Sequence, residues 1–271
     1  MSEGPAPSED AEAPDPFRPP EAVLAEGSPD ARFAPLSEGL LGPIALVRLA
    51  LDVVSAQPVL LLAVVLVVGV PQNIILEGGL PEPESLRDLR FLLQAGQLVD
   101  LFIGSLMSLG VVYITGRVVE GQPVRGAEVV TQIGERWMPL LFTRVLGGLG
   151  VALWLLALVV PGIIYGVNWL FADVVVGLGE ASGLKALGRS RDVVEGRWFR
   201  VAFTALVVQL GIYGAALAPG VVVDMVLDTE LSLPWAVLQG LSFDVVAMLG
   251  AITLTLQYLN LRRTRSEQYF M

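Results

Sequence analysis

The chain has 271 residues, of which 54% are hydrophobic and 16% charged, against about 45–50% and about 25% in an ordinary soluble domain. That balance, with a mean hydropathy of +0.67, argues against a conventional soluble globule and predicts an all-α, polytopic integral membrane protein. Cysteine and histidine are both absent, which excludes thiolate nucleophiles, disulfides, histidine general bases and the commonest zinc and haem ligands, so no cofactor or metal is expected.

The net charge of −10 is concentrated at the start, where residues 1–36 carry eight acids against Arg18 and Arg32. This stretch is rich in Pro, Ala and Ser and poor in large apolar residues, so it buries too little to offset its ordering entropy. It is expected to be a disordered acidic tail. A secretory signal peptide starts basic and runs straight into an apolar core; this N-terminus does neither. Lys185 is the only lysine among 17 basic residues, a bias that suggests a GC-rich bacterial genome and hence the bacterial inner membrane.

From residue 37 to 262 the chain is expected to form a six-helix transmembrane domain, followed by a short cytoplasmic tail, 263–271. A span needs about 20 apolar residues, and six stretches qualify: 57–77, 91–116, 138–160, 162–179, 199–220 and 235–260. Pro161-Gly162 falls between the third and fourth, where it is expected to make a tight reversal. Each odd-numbered span follows a short amphipathic segment: Ile44, Val47, Leu51 and Val54; Val130, Ile133 and Trp137; Leu184, Leu187, Val194 and Trp198. Spacings of mainly three, four and seven mark one helix face, so the prediction is three hairpins, each preceded by a cytoplasmic interfacial helix. The second and third segments also match in letters, "RWMPLLFT" at 136–143 against "RWFRVAFT" at 197–204. Arg117, Arg125 and Arg136, then Lys185 to Arg200, then Arg262, Arg263 and Arg265 fall on one side, while the opposite loops are acidic. The basic side reads as cytoplasmic, placing both termini inside.

The stretch "PGIIYGVNWLFADVVVGLGEASGLKALGRSRDVVEGRWFRV", residues 161–201, resembles the membrane domain of some bacterial glycerophosphoryl diester phosphodiesterases and related six-helix membrane proteins. The matching features are the Pro-Gly after the third span, the acid Glu180 ending the fourth, and the "ALGRSRDVVEGRW" segment. The resemblance implies a helical membrane domain. It does not imply phosphodiesterase activity, whose soluble barrel and histidines this chain lacks.

Ionisable residues inside a membrane are costly and mark candidate sites. Asp100, Arg144, Asp173 and Asp244 qualify, with Asn168 as a further intramembrane polar group. Arg144 lies six residues into the third span and Asp173 seven residues before Glu180 on the returning fourth, so at about 1.5 Å rise per residue both sit near 10 Å depth. An interhelical ion pair is predicted, with ion or substrate binding as the alternative. Asp100 and Asp244 each lie about nine residues into their spans from the outer side; two carboxylates at one depth share a proton in a proton-coupled transporter, or each accepts hydrogen bonds in a polar crevice. "GGLG" at 147–150 suits close helix packing, and Trp137, Trp169, Trp198 and Trp235 lie where interfacial anchors do. Lys185, Arg189, Arg191, Arg197 and Arg200 form a basic cluster that either holds anionic lipid headgroups or records topology alone.

These features favour a non-catalytic membrane scaffold or membrane-homeostasis factor with an anionic-lipid-contacting cytoplasmic face. The alternative is a small-solute or proton-coupled transporter using Asp100 and Asp244. An intramembrane lipid enzyme needs a clustered set of reactive side chains, which this sequence does not display. The expected partners are membrane lipids, with a homo-oligomer or a membrane-protein partner possible and no nucleic acid.

Overall fold

The computed structural model describes residues 31–78, 85–227 and 233–268, and within them it is all-α. Residues 1–30 of the expected disordered tail, 1–36, lie outside the described residues, as do residues 79–84 and 228–232 and the end of the C-terminal tail. Helix α1 is Pro35–Glu38, α2 Pro43–Ala56, α3 Pro58–Gly78, α4 Leu86–Val99, α5 Ser105–Val119 and α6 Gly126–Ala157. Then follow α7, Val159–Asn168; α8, Ala172–Gly177; α9, Gly183–Val194; α10, Trp198–Leu227; and α11, Leu233–Gln268.

Five stretches are long and apolar enough to cross a membrane: Pro58–Leu76, Leu86–Val119, Gly126–Ala157, Val159–Gly177 and Ala236–Arg265. Helix α10, at 30 residues, occupies the place of the expected fifth span, and its stretch Trp198–Gly214 is apolar. Leu153, Leu156, Val160, Phe203 and Leu210 are exposed, Leu156 at 86%, a display of large apolar side chains that a soluble monomer rarely tolerates. The chain is a multi-pass membrane protein. Helix α11 runs through the bundle and packs against α3, α10, α5 and α2, burying Ile252, Leu256, Tyr258 and Leu259 among residues such as Val65, Leu109 and Val175.

Several expectations need correction. The second interfacial segment is not a separate element, because α6 runs unbroken through 32 residues with Pro139 inside it. Its stripe is only partly turned into the bundle: Val130 is exposed, whereas Ile133 lies against Gly110 and the Trp137 indole donates to the Phe102 carbonyl at 2.9 Å. The first and third segments are separate helices, α2 and α9. In α2 the stripe named from the sequence is the outward one, with Ile44 and Leu51 exposed, while Leu46, Leu49, Ala50 and Val53 face the bundle.

Pro161-Gly162 does not make the turn. The chain reverses at Leu158 alone, extended at φ −158° and ψ 125°, and α7 starts at Val159. Pro161 therefore sits in a first helical turn, where its missing N–H costs nothing. A Cβ on Gly162 would stand 2.9 Å from the Leu155 backbone nitrogen, so the glycine is what lets α7 fold flat onto α6. Trp154 stacks on Tyr165 with centroids 5.1 Å apart, and Trp169 lies 2.6 Å from where a Gly150 Cβ would be, which fixes the antiparallel register.

The tail boundary also moves. Phe33 and Leu36, assigned to the tail, are fully buried, and Asn260 of α11 holds this segment. Its amide donates to the Leu36 and Gly39 carbonyls at 2.9 and 2.7 Å and accepts from the Leu41 N–H at 3.1 Å.

Candidate functional site

The fourth span is broken. Residues 169–171 form a turn between α7 and α8, and a break inside an apolar bundle must have its backbone groups satisfied. Ser190 of α9 does this: its hydroxyl donates to the Asn168 carbonyl at 2.7 Å and accepts from the Phe171 N–H at 3.1 Å, and Ser190 is fully buried. Asn168 thus contributes its backbone, and the residue lines a cavity beside α9. The adjacent Arg189 reaches the other way, donating from Nε to Glu180 Oε2 at 2.8 Å.

Glu180 is a hub. Besides Arg189 it accepts from the fully buried Tyr258 hydroxyl at 2.6 Å and from Arg262. Burial alone would weaken the Arg189 charge, but the Glu180 carboxylate and the Tyr258 hydroxyl together more than offset this and hold the guanidinium above its ordinary range. Glu120, beyond the end of α5, faces the same basic group; burial raises its carboxyl above the ordinary value, with Arg262, Arg263 and Arg117 opposing. One end of the bundle thus gathers Glu180, the 120–125 turn, α9 and the end of α11.

Deeper, Arg144 of α6 and Asp173 of α8 meet as their spacing predicts. Arg144 Nε and Nη2 donate to Asp173 Oδ2 at 2.8 and 2.6 Å, and Nη1 donates to Ser105 Oγ of α5 at 2.9 Å. Three helices are joined at one guanidinium. Asp244 and Asp100 are not joined. Asp244 is buried and accepts from Asn73 Nδ2 of α3 at 2.7 Å, and that amide also donates to the Gly69 carbonyl at 2.9 Å. The space for this pair is reciprocal: a Cβ on Gly69 would collide with the Asp244 carboxylate, and one on Gly240 with the Asn73 amide. Asp100 is exposed and opens a π-helical turn, Asp100–Gly104, between α4 and α5. Such turns recur at functional sites.

The basic cluster divides. Arg189 is committed to Glu180, and Arg197 donates to Thr264 Oγ1 at 2.9 Å, so both belong to the fold. Lys185, Arg191 and Arg200 are exposed, Arg200 also donating to the Leu40 carbonyl at 3.1 Å. Of the tryptophans, Trp198 donates to the Ile164 carbonyl at 3.3 Å and Trp169 covers Gly150, so both, like Trp137, tie helices together; the Trp235 side chain lies outside the described side chains.

The sequence reading missed Ser190, Asn73, Tyr258 and Asn260. The signal for each was a polar side chain among the apolar residues of a helix, Ser190 on the apolar face of α9 with Ala186, Leu187 and Val194, without any mark of its distant partner. No family model, curated protein or solved structure matches the chain, so the likeness to phosphodiesterase membrane domains rests on the quoted residues alone.

Proposed function

We propose that this chain is a non-catalytic membrane protein of the bacterial inner membrane, with six spans and both termini cytoplasmic. It serves as a scaffold or membrane-homeostasis factor whose cytoplasmic face rests on anionic lipid. One observation carries this reading: of the four intramembrane ionisable residues, three are spent on interhelical bonds, Arg144 with Asp173 and Asp244 with Asn73. Charges used as ties hold register and leave no set of free groups for chemistry. The basic end supports the orientation, since the 120–125 turn, α9, the start of α10 and the end of α11 lie together there, as the positive-inside rule asks of cytoplasmic segments. Counting α10 as a span gives the even number that both termini inside require.

The second reading, a proton-coupled or small-solute transporter, draws on Asp100. It is exposed, and it is the one of the candidate intramembrane carboxylates without a hydrogen bond or ion pair among the described residues.

The lipid part is tested with Lys185→Gln/Arg191→Gln/Arg200→Gln, which spares the arginines that hold the fold. Each basic side chain near an anionic surface contributes about 1 kcal/mol, so the triple variant should bind phosphatidylglycerol vesicles about a hundredfold more weakly at low salt. Unchanged binding would remove the anionic-lipid face from the proposal.

A further inference from the structure

Helix α9 ends at Val194 with Glu195 as its cap, and Gly196, at φ 78°, turns the chain straight into α10. That reversal leaves a groove of about 570 Å³ between α7, α9 and α10. Its wall is apolar on two sides, with Val160 and Ile164 from α7 and Phe199 from α10. Phe199 is 84% exposed, and the Trp198 indole, held by the Ile164 carbonyl, spans the two helices. At the α9 end the lining changes to Arg191, Glu195 and Asn168.

Arg191 and Glu195 make no ion pair or hydrogen bond through their side chains among the described residues, including with each other. They stand four residues apart, one helical turn or about 5–6 Å. An acid followed by a base is the favoured order for such a pair, and this is the reverse. Two opposite, unspent charges therefore open, beside Asn168, into one cavity whose α7 and α10 walls are mostly apolar.

We propose that this groove holds one phospholipid with an ammonium headgroup. The Arg191 guanidinium takes the phosphate, Glu195 takes the ammonium at the end of its two-carbon link, Asn168 supplies a further hydrogen bond, and an acyl chain lies along Val160, Ile164 and Phe199. Charge complementarity selects this occupant. Glu195 repels a purely anionic headgroup or free phosphate, and a quaternary ammonium cannot donate the hydrogen bonds that a carboxylate accepts from a primary one. The inference rests on the chain's being embedded in a membrane and not on the anionic-lipid face.

The test is native mass spectrometry of the full chain from nanodiscs containing phosphatidylethanolamine, phosphatidylglycerol and phosphatidylcholine in equal amounts. Wild type should retain phosphatidylethanolamine in about tenfold preference to either competitor. Glu195→Gln should abolish that preference and Arg191→Gln should lower retention of all three. Glu195→Lys should reverse the preference toward phosphatidylglycerol, a gain that misfolding cannot imitate. Equal retention of the three lipids by wild type, or a wild-type preference that survives Glu195→Lys, would overturn the proposal. Lys185→Gln/Arg200→Gln, which leaves the groove lining intact, tests the anionic face separately: it should weaken phosphatidylglycerol binding while the phosphatidylethanolamine preference stays.

Discussion

Replacing Arg144 by glutamine leaves the Asp173 carboxylate without its cation inside the bundle; replacing Asp173 by asparagine strands the guanidinium instead. Two charges about 4 Å apart in an effective dielectric of about 20 attract by about 4 kcal/mol, much of which offsets their desolvation. Removing one partner of a buried pair costs about 3–5 kcal/mol, whereas removing both is often close to neutral. Side-chain exposures of 22% for Arg144 and 31% for Asp173 place the single-variant cost at the low end, about 3 kcal/mol. At about 2–4 °C per kcal/mol, either single variant should lower the apparent melting temperature in detergent by about 6–12 °C. Arg144→Gln/Asp173→Asn should recover about half of that loss, costing about 1.5 kcal/mol where additive losses would cost about 6 kcal/mol, a coupling of about 4.5 kcal/mol. Ser105→Ala, which removes only the third bond of the guanidinium, should cost about 1 kcal/mol. Additive single losses in the double variant would refute the claim that the pair is a tie between helices.

At the α3–α11 contact, Gly69→Ala and Gly240→Ala should each destabilise by about 1–3 kcal/mol through overpacking, read as earlier thermal unfolding; a neutral result would mean that Asn73 and Asp244 have room to move. Asn260→Ala strips three hydrogen bonds from the segment at residues 36–41, so limited proteolysis should cut there faster than in wild type, with the bundle itself intact. Glu120 has a pKa raised by burial above 4.5, so the folded state binds its proton more tightly than the unfolded state. Its contribution is full below the unfolded value and is lost as pH rises through the folded one. Melting curves across that range should show Glu120→Gln more stable than wild type at neutral pH and without this slope; identical profiles would count against a buried Glu120.

The Arg144–Asp173 contact was legible because the two residues lie on consecutive antiparallel helices, where counting rise per residue from a shared end fixes relative depth. Five of the six expected spans and helices α2 and α9 were legible for a similar reason, since apolar length and periodicity are local. Contacts between distant segments were not. Asn260 and Leu36 are 224 residues apart, and no pattern around either names the other; the same holds for Asn73 and Asp244, 171 apart. Pro161-Gly162 misled because proline is tolerated equally in a turn and in a first helical turn, and only the approach of Leu155 to Gly162 decides between them. The first boundary was drawn too late because Phe33 and Leu36 sit one helical turn apart in a stretch whose composition is otherwise that of a tail.

The central claim is that the intramembrane charges hold helices together and do not carry a solute, and proton flux tests it most directly. Purified protein is sealed into liposomes enclosing a pH-sensitive dye, and a pH gradient is imposed with and without a membrane potential. The account predicts that wild type, Asp100→Asn and Asp244→Asn all dissipate the gradient at the rate of protein-free liposomes, with Asp244→Asn altering thermal stability alone. Saturable dissipation by wild type that disappears in Asp100→Asn or Asp244→Asn would contradict it and establish the transporter.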